Sequence, residues 1–258
     1  MITSSGNFLF TRLQFIALAV LLLPFITMNA NAGGIVGGSY VYAQQANGNL
    51  VQYHVTAVDY QGTPAWRISW DCEQVQAEHF VRRSDGAPLY VKRINHSMQR
   101  TVEIKYSLNA DQPTIYSKHS KDEFLERKVW DKNLRDLGAL PQTLQMLTDS
   151  GSSPDAAFSI INYDNGKVYP LTASQTGFRN VNIEGERVRC VIYEVKLDSW
   201  FSTFVGSTKI VIPQQTKHSA FVAYKGPGLD GGVKQWTLNL VGRDKAMAML
   251  DQSGLIRQ

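Results

Sequence analysis

The side chains that most often carry chemistry are thinly spread in this chain. Its five histidines, His54, His79, His96, His119 and His218, stand apart, and no two share the short spacing of a zinc site. His54 and His79 would meet Cys72 only if adjacent strands brought the three together. Polar-face or turn histidines are the simpler reading, and no metal site is expected. Carboxylates are equally dispersed. Asp122, Glu123 and Glu126 cluster, but among Lys121, Arg127 and Lys128, which reads as an exposed patch of mixed charge. A nucleophile elbow, a zinc-binding H-E-x-x-H helix and a P-loop are missing, and no G-x-G-x-x-G stands between a strand and a helix as a Rossmann fingerprint requires. Asn95-His96-Ser97 fits a glycosylation acceptor and is read as chance. No catalytic residue and no cofactor follow, so a non-enzymatic protein is expected.

The first residues say where the chain goes. Arg12 precedes the apolar run from Phe15 to Ile26, and Ala30-Asn31-Ala32 offers the small residues of a signal-peptidase site. Residues 1–32 therefore read as a cleavable secretory signal, with a single β-rich domain over 33–258 and a periplasmic destination. A membrane anchor is the alternative, but Pro24, Thr27, Asn29 and Asn31 shorten the apolar stretch. No long apolar run recurs beyond Ala32, so no transmembrane segment is expected after cleavage. A net charge of +4 is too weak for a nucleic-acid footprint. Export would place Cys72 and Cys190 in an oxidising compartment, where one disulfide is expected and two buried thiols are the alternative.

The elements that would position any site are strands. Val51, Tyr53, Val55 and Ala57 alternate with Gln52, His54 and Thr56. Val102, Ile104, Tyr106 and Leu108 alternate with Glu103, Lys105 and Ser107, and Trp236, Leu238 and Leu240 with Thr237 and Asn239. A period of two means one buried and one wet face. Asn47-Gly48, Asp85-Gly86, Asn165-Gly166 and Glu184-Gly185 fall between such runs as hairpin turns. The spacing predicts a mainly β fold: a large antiparallel, strongly curved sheet, a half-barrel of about ten to twelve strands. One or two short helices are expected over its concave face. The leucines from Leu134 to Leu147 recur at helical spacing, with Pro141 at the first turn of a fresh helix. Arg243 to Asp251 is the second helical candidate, and Lys121 to Trp130 reads as a strand.

What the chain has in excess is large apolar side chains, with 5 Trp, 11 Tyr and 11 Phe. Ordinary core accounts for many of them. A curved sheet only partly plugged by helices would also leave an apolar cavity. Candidates to line it, taken from apolar phases of alternating strands, are Trp66, Trp70, Ile104, Tyr106, Phe158, Ile160, Ile192 and Trp236. The expected partner is a hydrophobic or lipid-like ligand, or else an envelope protein. The oligomeric state is left open.

The second half carries a resemblance. Phe158 to Leu171 is strand, turn around Asn165-Gly166, strand; Gly185 to Val195 is a turn feeding a long strand; Phe201 to Pro213 and Ala220 to Gly226 follow. This succession resembles a group of exported bacterial β-rich proteins of unknown function. Their fold is similar to that of the periplasmic lipoprotein carrier and its outer-membrane receptor, an unclosed β-barrel with helices over its concave side. The resemblance spans residues 39–241 and is strongest over 156–226. It implies that fold and an envelope location, and leaves ligand and partner open. A ligand-binding role in envelope maintenance is expected, with a module that docks an envelope partner through an edge strand or loops as the alternative. The carrier's closing arginine finds no match among Arg67, Arg82, Arg83 or Arg93. An enzyme, such as an envelope hydrolase, is the remaining alternative.

Overall fold

Alternating strands with tight glycine turns leave the chain little choice but to run up and down, and it does so in two meanders. The computed structural model describes residues 37–45, 48–109, 111–149, 155–183, 185–198, 207–214, 221–227 and 235–242. The first meander holds β1 (Gly38–Gln44), β2 (Leu50–Tyr60), β3 (Thr63–Cys72), β4 (Val75–Arg82), β5 (Pro88–Asn95), β6 (Arg100–Lys105), β7 (Thr114–His119) and β8 (Phe124–Val129). The second, after β9 (Leu134–Arg135) and helix α1 (Leu140–Asp149), holds β10 (Asp155–Ile161), β11 (Val168–Ile183), β12 (Glu186–Leu197), β13 (Thr208–Pro213), β14 (Ala223–Pro227) and β15 (Gln235–Leu240).

All the strands join one sheet in the order β8-β7-β6-β5-β4-β3-β2-β1-β15-β14-β13-β12-β11-β10-β9. The fold is mainly β, one large curved and unclosed sheet, but with 15 strands among the described residues instead of ten to twelve. The pairing is antiparallel except between β9 and β10, which run parallel. A parallel neighbour requires a crossover, and α1 supplies it. Pro141 sits in the first turn of α1, where its missing N–H costs no helical bond. Leu134 falls outside the helix and belongs to β9. The candidate helix at 243–251 and the signal segment 1–32 lie outside the described residues.

The sheet's two edges, β8 and β9, are separated by only four residues, 130–133, so the sheet must curl until its edges approach. A seam of polar contacts holds them there through the β10–β11 turn. Tyr116 donates its hydroxyl to the Tyr163 carbonyl at 3.0 Å, Arg127 Nε donates to the Asn165 carbonyl at 2.8 Å, and Arg100 reaches Asp164 at 2.5 Å. Gly166 has φ +67, and a Cβ there would stand 2.6 Å from the Tyr116 ring. Only glycine meets both demands.

Inside the curl, α1 lies on the apolar phase of the strands. Leu140 and Leu144 pack with Tyr42, Tyr53, Ile68, Trp70, Phe158, Tyr193 and Ile210. Tyr42 stacks on Phe221 with centroids 4.1 Å apart, and Tyr53 meets Trp70 edge-on at 4.4 Å. A second cluster, with Val91, Ile104, Tyr106, Tyr116, Val129 and Leu134, fills the seam side.

The expected disulfide is not formed: Cys72 and Cys190 are unbridged. The pleat explains why. Cys72 shares the phase of Ile68 and Trp70 and packs against the core beneath α1. Cys190 shares the phase of Val188 and belongs to a separate cluster with Val211 and Val222, while Val191 and Tyr193 take the inner phase. The two thiols sit on opposite faces of the sheet and cannot come within bridging distance.

Candidate functional site

Strands β4 and β5 carry ionisable side chains in the phase that should be apolar. In β4 the inward set is Val75, Ala77, His79 and Val81; in β5 it is Val91, Arg93 and Asn95. These side chains are buried, and burial of a charge demands a partner. The partners come from the segment between β9 and α1. Asp136 accepts from His79 Nδ1 at 2.6 Å with its Oδ2 and from the Tyr163 hydroxyl with its Oδ1. An ionised carboxylate only accepts, so the Nδ1 proton is fixed by this contact. The Arg93 guanidinium lies 4.0 Å from the Tyr163 ring centroid.

The same segment is fastened twice more. Gly138 N–H donates to the Tyr163 hydroxyl at 2.8 Å, and Trp70 Nε1 donates to the Gly138 carbonyl at 3.1 Å. His79 packs so tightly on Gly138 that a Cβ would fall 2.2 Å from its Cε1. The helix that follows is held by polar contacts as well: Gln142 donates to the Tyr53 hydroxyl, Gln145 Nε2 to the Pro213 carbonyl at 3.2 Å, and Thr148 Oγ1 meets the Tyr193 hydroxyl at 2.9 Å.

Electrostatics follow from this geometry. Burial pushes the Asp136 carboxyl up, but His79, the Tyr163 hydrogen bond and the Arg93 charge outweigh it and hold the group below the usual carboxylate range. Burial first, then the Asp136 charge, drives the Tyr163 and Tyr106 hydroxyls well above the ordinary tyrosine value. The His79 and Asp136 side chains are 1% and 0% exposed, so the pair is closed to any substrate. It works as a clamp on the helix.

Beside the clamp, the curl ends in an open pocket of about 450 Å³. Tyr106, Pro88, Val129 and Leu134 give it buried apolar walls; Trp130 and Leu108, both well exposed, flank it. Arg82, Lys132 and Arg135 also line it, against the single carboxylate of Asp131. The Tyr106 hydroxyl is buried without a hydrogen-bond partner among the described residues.

The structure distributes the candidate lining residues unevenly. Trp70, Phe158 and Ile160 belong to the packed core beneath α1, and Trp66 packs against its margin under the Arg83 guanidinium. Ile104 and Tyr106 join the seam cluster, and of the seven whose side chains are described only Tyr106 lines the pocket. Ile192 packs on the opposite face with Val188 and Cys190. The side chain of Trp236 lies outside the described residues. His54, in the outer phase of β2, faces away from His79 and Cys72 and makes a 2.8 Å cross-strand hydrogen bond with Ser39. Sequence reasoning missed Asp136, Tyr163, Arg93 and the cationic side of the pocket. The signal was there for His79 and Arg93, polar residues in an apolar phase.

Comparison with known proteins adds little to this geometry. No family model matches the chain, and no curated protein matches it. Among solved structures, the hypothetical lipoprotein YmcC from Escherichia coli (K12) is similar at a TM-score of 0.35 and 10% identity, over 81% of this chain and 88% of that one.

Proposed function

We propose that the protein is an exported, periplasmic and non-enzymatic binding protein that takes a lipid-like or hydrophobic ligand at the open end of its concave face, in envelope maintenance. The observation that carries this reading is the pocket of about 450 Å³ walled by Tyr106, Val129 and Leu134, within the ~300–1,000 Å³ range of small-molecule sites. Residues 1–32 supply the export signal for the location. A non-enzymatic role fits the closure of the His79–Asp136 pair and the placement of the Ser39–His54 contact on the sheet's outer phase.

A second reading, a structural module that docks an envelope partner, draws on the filled core: the rings of Tyr42, Tyr53, Trp70 and Phe221 pack with Leu140 and Leu144 of helix α1. Edge strand β8 argues against docking by strand addition. Its Glu126, Arg127 and Lys128 are exposed, and charges on an edge discourage pairing. The two readings separate in a titration with N-phenyl-1-naphthylamine, a neutral apolar fluorophore. Saturable enhancement that Ala87→Trp, a filler of the pocket lip, abolishes supports the ligand reading. No enhancement in the folded protein rejects it.

A further inference from the structure

The charges around the end pocket do not balance, and the imbalance is local. Arg82 is spent: its Nε and Nη2 reach Asp85 at 2.8 and 2.5 Å. The Asp131 carboxylate is turned to its own loop, accepting the Asn133 N–H at 2.8 Å. Arg135 gives Nη1 to the neighbouring Leu134 carbonyl at 3.0 Å, and its charge also acts on the Asp85 carboxylate. Lys132 is exposed and has no ion pair among the described residues. Set against the carboxylates of Asp85 and Asp131, the cations Arg82, Lys132 and Arg135 leave one net positive charge beside walls formed by buried Tyr106, Val129 and Leu134.

A pocket with one apolar wall and a surplus of positive charge complements one kind of molecule. We infer that the end pocket selects a single-chain anionic amphiphile, its carboxylate or phosphate held by Arg135 and Lys132 and its tail laid against Tyr106, Val129 and Leu134. The inference rests on the ligand-binding reading above and narrows it to a charge class. A guanidinium offers a fork of donors matched to carboxylate or phosphate oxygens, and the ammonium adds a movable point charge. A cationic amphiphile of equal length would gain the same apolar contact and meet a net repulsion at Arg135 and Lys132.

The test is calorimetric titration of the purified protein with dodecanoate and, separately, with dodecyltrimethylammonium, each below its micelle concentration. Dodecanoate is expected to bind about tenfold tighter or more, as charge-assisted hydrogen bonds are the stronger class. The preference should shrink at high ionic strength. It should fall further in Lys132→Glu, whose surface position leaves the fold intact, and vanish in Lys132→Glu/Arg135→Gln. Equal binding of the two probes overturns the charge selection and leaves the hydrophobic site standing. A preference untouched by the double variant overturns the assignment to Arg135 and Lys132. Binding of neither probe overturns both this inference and the ligand reading beneath it.

Discussion

Removing one carboxylate should release the helix from the sheet. Asp136 is buried and accepts from His79 Nδ1 and the Tyr163 hydroxyl. In Asp136→Ala both donors stay buried and lose their acceptor. Breaking a buried pair by deleting one member costs about 3–5 kcal/mol. Urea unfolding followed by tryptophan fluorescence should show that loss as a lower midpoint at unchanged slope. Replacing both partners, in His79→Leu/Asp136→Leu, should recover part of it, because two apolar groups leave no orphaned charge. The pH dependence has a defined sign. The folded carboxyl lies below its ordinary value of 3.8, so the unfolded chain takes up the proton first as pH falls. The contribution is therefore complete above about pH 5 and is lost as pH drops through 3.8 and then through the lower folded value. Asp136→Ala should show a shallower acid slope than the parent. A loss below about 1 kcal/mol, the scale of an ordinary surface contact, would refute the clamp.

Three further outcomes follow from the same contacts. Gly138→Ala should destabilise by about 3 kcal/mol or more, since the new methyl strikes the His79 ring, and calorimetric melting should show the penalty shrinking in a His79→Ala background. Tyr106→Phe should leave stability unchanged or raise it by about 1 kcal/mol, because the hydroxyl it removes is buried and without a partner among the described residues; a clear loss in thermal melting would mean that the hydroxyl has a partner. Denatured, unreduced protein should take up two alkyl groups by mass spectrometry, one on each of Cys72 and Cys190, and uptake of none would reveal a bridge.

Alternation made most of the strands legible, because a sheet with a buried inner face writes its phase directly into the chain. Val51, Tyr53 and Val55 are fully buried as their phase requires, and Pro141 marks the start of α1. The strand count fell short where elements are too brief to show a period. The two residues of β9 are hidden inside a run of leucines at helical spacing. Ile192 was ambiguous for a physical reason: Cys190, Val191, Ile192 and Tyr193 are apolar in both phases, since each face of β12 packs against something. The clamp was harder to see. Its members lie 57 and 27 residues apart, and only the β9–α1 segment folding over β4 and the β10–β11 turn brings them together. The pocket was harder still, being formed where the sheet's two edges meet. That meeting belongs to the topology as a whole, and only Tyr106 announced it in advance.

The most direct test of the central claim is native mass spectrometry of the protein purified from its own envelope, with organic extraction of whatever it carries. The account predicts a bound amphiphile that is lost on denaturation and absent from the pocket-filled Ala87→Trp variant. A bare protein mass, or a cargo that Ala87→Trp retains undiminished, would contradict it.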